Sequence, residues 1–325
     1  MPLYSLHMAL GTNDCLYFLP PNDFDRGFAR TYQIPHVFHS QTKFYAGSVF
    51  SVMQKLGRAF WEVDKEFKQN PWNLVVSTGG YAAVPACLHA ILHQIPLYLV
   101  EPNSVAGKVN KLFSVFAKRV YTHFPSTQNL WGKKIFNYGN PLRREIQRLS
   151  KPGEAFLAFG ASLGAQSINL LMSKIVQKGA ACSVIWITGA KEYPLYSHLA
   201  GPGVTILPFS TEIDALYKKA KLVLGRAGAG TVAEMQELGM PSILVPYPHH
   251  KDRQQFHNAA YLVDRGAALM KTESELQASL EEIEGILAPK SEQYNQLFKN
   301  AQALPVLNAA QRIVEDLRTS SRAGF

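Results

Sequence analysis

The chain has no long uninterrupted apolar run. Its most apolar stretch, residues 81–100, is broken by His89, His93, Gln94 and Pro96. That interruption excludes a membrane-spanning helix there, because a span needs about 20 consecutive apolar residues. Cysteine is scarce. Cys15, Cys87 and Cys182 are scattered and odd in number. They read as reduced core thiols of a cytoplasmic protein, without zinc-ligand spacing. The start, MPLYSLHMAL, lacks the basic segment that opens a secretory signal. Acidic residues are in the minority, 24 against 33 Lys plus Arg, for a formal charge of +9. A basic surface attracts polyanions. The chain carries no RNP, zinc-finger or helix-turn-helix pattern, so nucleic acid is set aside. An anionic membrane face or a diphosphate-bearing substrate fits better. Repeats and low-complexity tracts are missing too, and 47% hydrophobic against 18% charged residues leaves nothing disordered by composition.

What is there is an alternation of short apolar runs with amphipathic stretches, the βαβ pattern of a parallel sheet. Strands are expected at Cys15–Leu19, Leu74–Ser77, Leu97–Val100 and Arg119–Thr122, with helices near 81–93 and 104–117. A second set follows at Ala155–Phe159, Ser183–Thr188, Thr205–Leu207, Leu222–Leu224, Ser242–Pro246 and Ala267–Met270, with helices near 164–178, 230–239 and 252–265. A length of 325 residues suits two domains. The polar stretch Arg148–Ala155, with Pro152 and Gly153, reads as the linker between them. The domains are therefore expected at 1–147 and 154–304, with a last helix near 306–318.

The most informative segment is GRAGAGTVAEMQELGMPSILVPYPHHKDRQQFHN, residues 225–258. Gly228 and Gly230 let backbone N–H groups come close to an anion. The helix from Thr231 to Leu238 would point its N-terminus, where the macrodipole favours negative charge, at that anion. Glu234, one turn in, suits a sugar diol as a hydrogen-bond acceptor. Diphosphate plus diol means a nucleotide-sugar pocket. A glycine loop alone also fits an ordinary strand–helix turn. The polar cluster Asp252, Arg253, Gln254, Gln255 and Asn258 after a strand's carboxyl end weighs for the pocket, since open α/β sheets bind ligands there.

These residues resemble the MurG family of glycosyltransferases, whose pattern is roughly SGALTVSE followed by GxPxxxVPxxHxxDxQxxNA. Here stand AGAGTVAE and GMPSILVPYPHHKDRQQFHNA. Further matches follow in order: STGGYAAVPA (77–86), EPNSVAGKVNKLFSVFAKRV (101–120), GNPLRREI (139–146) and FGASLGAQSIN (159–169). The resemblance covers nearly the whole chain. It implies an α/β fold of two Rossmann-like doubly wound domains facing a cleft, the GT-B arrangement, with the last helix packing back on the first domain. It implies transfer of N-acetylglucosamine from UDP-N-acetylglucosamine to lipid I, the undecaprenyl-diphosphate-linked muramyl-pentapeptide, giving lipid II for peptidoglycan. The place implied is the cytoplasmic face of the bacterial plasma membrane, peripherally bound, with cell-wall synthesis proteins as possible partners. No cofactor is expected; magnesium stimulation is conceivable, but no metal site is expected.

On the donor side the resemblance assigns Gly228, Ala229, Gly230, Thr231 and Glu234, with Gln254 and Asn258 at the sugar or its phosphate and Arg226 nearby. Ser162 matches a serine near the donor diphosphate, although Phe159 and Leu163 replace a glycine and a glutamine of that loop. Ser210 falls where the family carries an apolar residue against uracil. Arg143, in GNPLRRE, is suited to clamp a diphosphate bidentately. On the acceptor side stand Gly79, Gly80 and Tyr81 in STGGY, a second anion-cradling loop, with Asn103 and Asn110 near the active cleft. Val100 and Pro102 replace a histidine and a glutamine of the family's HEQN. Asp23-Phe24-Asp25 spells the metal signature of another glycosyltransferase architecture and reads as a solvated turn. The neighbours His249 and His250 are poorly placed to share an ion. Residues 43–61 mix Phe50, Met53, Phe60 and Trp61 with Lys43, Lys55 and Arg58, as a helix lying on an anionic bilayer does; packing on its own domain is the competing reading.

One family element is missing. The GGTGGHxxP loop, with its candidate base histidine, would precede Pro2, and His7 has the wrong spacing to replace it. The catalytic base is therefore unassigned. Either the start was placed too late or the chain is truncated; the intact donor residues favour the first. Three hypotheses follow: the inverting transferase (or a related glycolipid synthase), a catalytically impaired nucleotide-sugar-binding protein, and, last, a nucleic-acid binder.

Overall fold

The computed structural model describes residues 1–12, 14–39, 49–160 and 164–322. In chain order the elements are α1 (Pro2–Leu10), β1 (Tyr17–Leu19), α2 (Asp23–Tyr32), β2 (His36–Phe38), α3 (Val49–Gln69), β3 (Val75–Ser77), α4 (Val84–Leu92), β4 (Leu97–Glu101), α5 (Lys108–Phe113), β5 (Arg119–Thr122) and β6 (Ile135–Asn137). They continue with β7 (Ala155–Phe159), α6 (Gln166–Lys178), β8 (Val184–Ile187), α7 (Tyr193–Tyr196), β9 (Val204–Leu207), α8 (Ile213–Lys219), β10 (Ala220–Arg226) and α9 (Ala229–Leu238). The last are β11 (Ser242–Val245), α10 (Gln254–Val263), β12 (Ala268–Met270), α11 (Glu273–Leu276), α12 (Leu280–Leu287), α13 (Glu292–Ala303) and α14 (Ala309–Arg322).

Two compact units result, one of residues 1–143 with 308–325, the other of residues 144–307. The division falls before the expected linker. Residues 148–155 are fastened to the second unit instead. The Arg148 guanidinium donates to the carbonyls of Gln236, Ala301, Gln302 and Leu304 at 2.9–3.1 Å. Leu149 N–H donates to Leu238 O and Gly153 N–H to Ala220 O. Polarity suggested a linker, but that polarity satisfies the unpaired carbonyls at the ends of two helices.

The first unit holds a parallel sheet in the order β3-β4-β5-β6 and a separate parallel pair, β1-β2. Leu97 and Leu99 of β4 face Cys87, Ala90, Val109 and Phe113 from α4 and α5. Tyr98 and Val100 face the other way, onto Leu6 of α1 and Ala310, Ile313, Val314 and Leu317 of α14. This two-sided burial is why the strand reads as a continuous apolar run. The chain's last helix thus completes this unit's core. Asp316 anchors it, accepting from Arg119 at 2.7 Å and from the Tyr121 hydroxyl at 2.6 Å.

Two expectations in this unit are corrected. Asp23-Phe24-Asp25 opens α2 rather than forming a turn, because the Asn22 side chain caps the helix by accepting from Asp25 N–H at 2.8 Å. The helix expected over 104–117 shortens to Lys108–Phe113, because Val105 bridges to Gln128 and Gly107 N–H is taken by Glu101.

The second unit is one parallel sheet in the order β12-β11-β10-β7-β8-β9. Counted within the unit this is 6-5-4-1-2-3, the doubly wound dinucleotide-binding order. Its core gathers Phe156, Ile168, Met172, Trp186, Leu222, Leu224 and Ile243 with Ile283 and Ile286 of α12.

Candidate functional site

The strand order reverses between β7 and β10, and each of these strands is followed in the chain by a helix. Ligands of open α/β sheets bind at this switch point, outside the carboxyl ends of the strands. After β10, Gly228 is the N-cap of α9, with no side chain capping the helix and no acidic residue in its first turn. After β7, Ala165 is the N-cap of α6, likewise uncapped and without an acidic residue in its first turn. Two helix starts without side-chain caps thus leave adjacent strands, the arrangement that attracts a diphosphate, and the α9 start has no carboxylate of its own in the first turn.

The local sequence explains the shape. Gly228 has an ordinary extended backbone, φ −64°, so its value lies elsewhere: a Cβ at Gly228 or at Gly230 would meet nothing within 4 Å. Their open side is room for a ligand, and Gly230 is exposed while Ala229 and Thr231 are half-buried. The β7 loop is tighter. A Cβ at Gly160 would stand 2.1 Å from the Ala165 amide nitrogen, and one at Gly164, already at φ +80°, 2.3 Å from the Thr188 carbonyl oxygen. Ser162 lies outside the described residues. The departure at Phe159 is absorbed inside the sheet, where its ring packs over Gly225 on the paired strand.

Glu234 is half-buried one turn into α9, and the buried Tyr217 of α8 donates its hydroxyl to Glu234 Oε2 at 2.7 Å. Tyr217 was not legible in the motif; it orients a carboxylate suited to accept from a diol. Asn258 is completely buried and donates to Ala227 O at 3.4 Å, tying α10 to the loop before α9. Its influence on a ligand therefore runs through that loop. Gln254 opens α10, half-buried, directly after Arg253 at φ +49°. A non-glycine residue held in the left-handed region marks a position fixed by its surroundings. Gln255 fixes the same turn by accepting from Tyr247 N–H at 2.9 Å.

Arg226 is not free for an anion. Its guanidinium pairs with Glu273, reaches Val245 O and Pro246 O at 3.4 Å, and lies over Tyr247. Burial opposes ionisation of Glu273, yet the Arg226 guanidinium and the Ser167 hydroxyl hold its carboxyl below the usual range. Arg226 joins the ends of β10 and β11 to α11. Ser210 caps its own turn by accepting from Glu212 N–H. His249 and His250 sit together on an exposed turn.

In the first unit, Gly79 and Gly80 both have positive φ, +80° and +81°, and follow β3. A Cβ at Gly79 would stand 2.9 Å from the Asn110 side chain, whereas at Gly80 it would meet nothing within 4 Å. Tyr81, 38% exposed, begins the single 3-10 turn Tyr81–Ala83 that leads into α4. Behind the loop lies Glu101, a buried carboxylate missed in the sequence. It accepts from Asn103 N–H (2.9 Å) and Nδ2 (3.2 Å), Gly107 N–H (3.0 Å) and Asn110 Nδ2 (2.9 Å). Burial pushes its carboxyl up, against the pull of these four donors. Asn103 and Asn110 are thus brought together on one acid, at the carboxyl end of β4. Arg143 ends the unit, half-exposed and in no ion pair among the described residues.

Comparison with known proteins agrees with the fold. The glycosyltransferase family 28 N-terminal domain matches residues 13–122 and the family's C-terminal domain residues 156–316. A UDP-N-acetylglucosamine--N-acetylmuramyl-(pentapeptide) pyrophosphoryl-undecaprenol N-acetylglucosamine transferase of Shewanella amazonensis is 36% identical over 83% of this chain and 77% of its own. The protein of the same name from Rubrobacter xylanophilus is 32% identical over 77% of this chain and 78% of its own. Among solved structures, MurG of Acinetobacter baumannii superposes with a TM-score of 0.78 at 24% identity, covering 98% of this chain and 95% of that one. The chain belongs to glycosyltransferase family 28, an enzyme family built on two Rossmann-like domains.

Proposed function

We propose that the chain transfers N-acetylglucosamine from UDP-N-acetylglucosamine to lipid I, forming lipid II with inversion at the anomeric carbon. The observation that carries the donor half is the pair of uncapped helix starts at the β7–β10 switch point, with Glu234 one turn into α9. Orphan amides of α9 hold the diphosphate, and Glu234, aimed by Tyr217, accepts from the ribose hydroxyls. In the transfer the acceptor hydroxyl forms a bond to the anomeric carbon as the bond to UDP breaks. The hydroxyl proton passes to a base that remains unassigned. Charge gathering on the departing UDP is stabilised by the helix start. The loop Gly79–Gly80–Tyr81 supports an acceptor diphosphate: it is open at Gly80 and is fixed from behind by Asn110 on Glu101.

The purified chain is expected to release UDP only when the donor and lipid I are supplied together. UDP-sugar binding without turnover would favour the binding-only alternative. Release with diacylglycerol in place of lipid I would assign it to glycolipid synthesis.

The proposed seat is an anionic bilayer surface. Among the described residues no helix is long and apolar enough to cross a membrane. Residues 43–48 of the expected membrane-facing stretch lie outside the described residues. In α3, Ala59, Val63 and Phe67 are buried along one face, while Phe50, Met53 and Trp61 are 72%, 61% and 62% exposed. At 3.6 residues per turn Phe50 and Trp61 point away from that buried face, near the exposed Arg58 and Lys65, and Met53 flanks it. An apolar stripe beside cations suits an interfacial helix. The double variant Phe50→Glu/Met53→Glu is expected to bind vesicles of anionic phospholipid at least about tenfold more weakly while keeping its UDP affinity. Sedimentation with vesicles measures this, and binding within twofold of the parent would remove α3 as the seat.

A further inference from the structure

Among the described residues three side chains of one unit converge without any part in donor or acceptor binding: Asp64 of α3, and His89 and His93 at the end of α4. We infer that they form a binding site for a borderline divalent cation of the zinc type, a clamp between α3 and α4. The two histidines are four residues apart, so the helix brings their rings to one side, with centroids 4.3 Å apart. Asp64 Oδ1 lies 3.6 Å from His89 Nδ1 and 3.7 Å from His93 Nε2. All the ligand atoms lie within 4.8 Å of one another.

These distances are too long for hydrogen bonds. The two carboxylate–imidazole distances come close to the edge of a coordination shell, since two ligands each about 2.1 Å from a tetrahedral ion stand roughly 3.4 Å apart, and the wider spacing closes through the half-exposed His93 side chain. His89 adds a second, independent sign. The residue is 3% exposed, and its Nδ1 is buried without a hydrogen-bond partner. Buried polar atoms are nearly always satisfied, and an orphan calls for an explanation such as an ion. Phe67, with its ring centroid 4.2 Å from that of His89, holds the imidazole in place. Lys68 takes the other Asp64 oxygen at 2.6 Å, so the carboxylate offers Oδ1 alone. The His93 side chain is 51% exposed, which gives the ion a way in and leaves a coordination position to water. Two imidazoles and one carboxylate oxygen favour zinc, cobalt, nickel or copper over magnesium or calcium. Bound there, the ion ties α3, which carries the exposed apolar stripe, to α4, which follows the Gly79–Gly80 loop.

The test is titration of the chelator-treated full chain with Co2+, read by its visible d–d absorption, then displacement by Zn2+. One ion per chain is expected, with affinity at least a hundredfold weaker in His93→Gln and in Asp64→Asn. A His249→Gln/His250→Gln double variant, which removes the other adjacent histidine pair, is expected to bind as the parent does. His93 is half-exposed, so His93→Gln is expected to melt with the parent in chelator, and only the parent to gain about 5 °C with excess Zn2+. A parent that shows no d–d band, or a His93→Gln affinity within threefold of the parent's, would overturn the site.

Discussion

Replacing Glu234 by alanine is expected to raise the KM for the nucleotide sugar about a hundredfold. On the proposed reading the half-buried carboxylate accepts from two ribose hydroxyls, and its removal costs two charge-assisted hydrogen bonds, each contributing about 1.5–3 kcal/mol. A net loss of about 3 kcal/mol corresponds to roughly a hundredfold in affinity. The ribose is remote from the reacting carbon, so the loss belongs to ground-state and transition-state binding alike and falls on KM rather than kcat. Tyr217→Phe is the more discriminating partner. It removes no group that touches the donor, only the hydroxyl that holds Glu234 Oε2 at 2.7 Å. Its expected effect is smaller, about tenfold in KM, since the carboxylate remains but is no longer aimed. In the double variant the effects should not add, because residues sharing one hydrogen bond act as a unit. Steady-state kinetics with calorimetric UDP binding decide the matter. A Glu234→Ala enzyme whose KM stays within threefold of the parent would place the ribose elsewhere.

The asymmetry between Glu234 and Tyr217 shows how far the sequence could be read. Glu234 sits in a contiguous motif whose glycines, helix start and carboxylate lie close together, so local spacing singles it out as a candidate. Tyr217 lies on the preceding helix, in a segment with no turn or motif to mark it, and reaches Glu234 only because α8 and α9 flank the same strand. Glu101 was hidden for a related reason. In sequence it stands between an apolar strand and a proline, where an acid looks solvent-facing; only the fold shows four donors closing around it. Most strands of the two larger sheets were legible because burial on two faces writes continuous apolar runs; β6, an edge strand with Ile135 and Asn137 exposed, was missed. Their ends were not: β10 runs to Arg226, two residues beyond the expected Leu224, since the Glu273 pair allows a buried guanidinium to continue the strand. The histidines at 89 and 93 carried a helical i, i+4 signal, but their third partner is 25 residues earlier on another helix, beyond the reach of spacing. The linker was misplaced because local polarity does not reveal that Arg148 is tied to helix ends of the second unit.

That misplacement leads to the largest expected effect on stability. Arg148→Ala should lower the stability of the second unit by about 3 kcal/mol, seen as a fall in melting temperature of roughly 6–12 °C. Four carbonyls depend on this guanidinium: Gln236 near the end of α9, Ala301 and Gln302 in the last turn of α13, and Leu304 just beyond it. A cation at converging helix ends also meets two negative dipole termini. The site admits little else, since a Cβ at Gly239 would already stand 2.5 Å from Arg148 Nη1. Lysine, a point charge with three donors, cannot reproduce a planar fork, so Arg148→Lys should recover no more than about half the loss. The position has a consequence for the donor loop. Gln302 Nε2 donates to Leu149 O and Gly239 O, Gln236 Nε2 to Pro305 O, and Leu307 N–H to the Glu237 carboxylate. The two segments by which the chain enters and leaves the second unit are thus fastened to one end of α9, while the other end offers its amides at the switch point. Loosening the C-terminal end should therefore let the helix shift along its axis and weaken UDP binding by about tenfold, although Arg148 lies at the opposite end from the donor loop. Thermal unfolding and UDP titration on Arg148→Ala and Arg148→Lys measure both effects. A variant that melts within 2 °C of the parent would show that water replaces the guanidinium without loss. One that melts early yet binds UDP normally would show that α9 holds its position without help from that end.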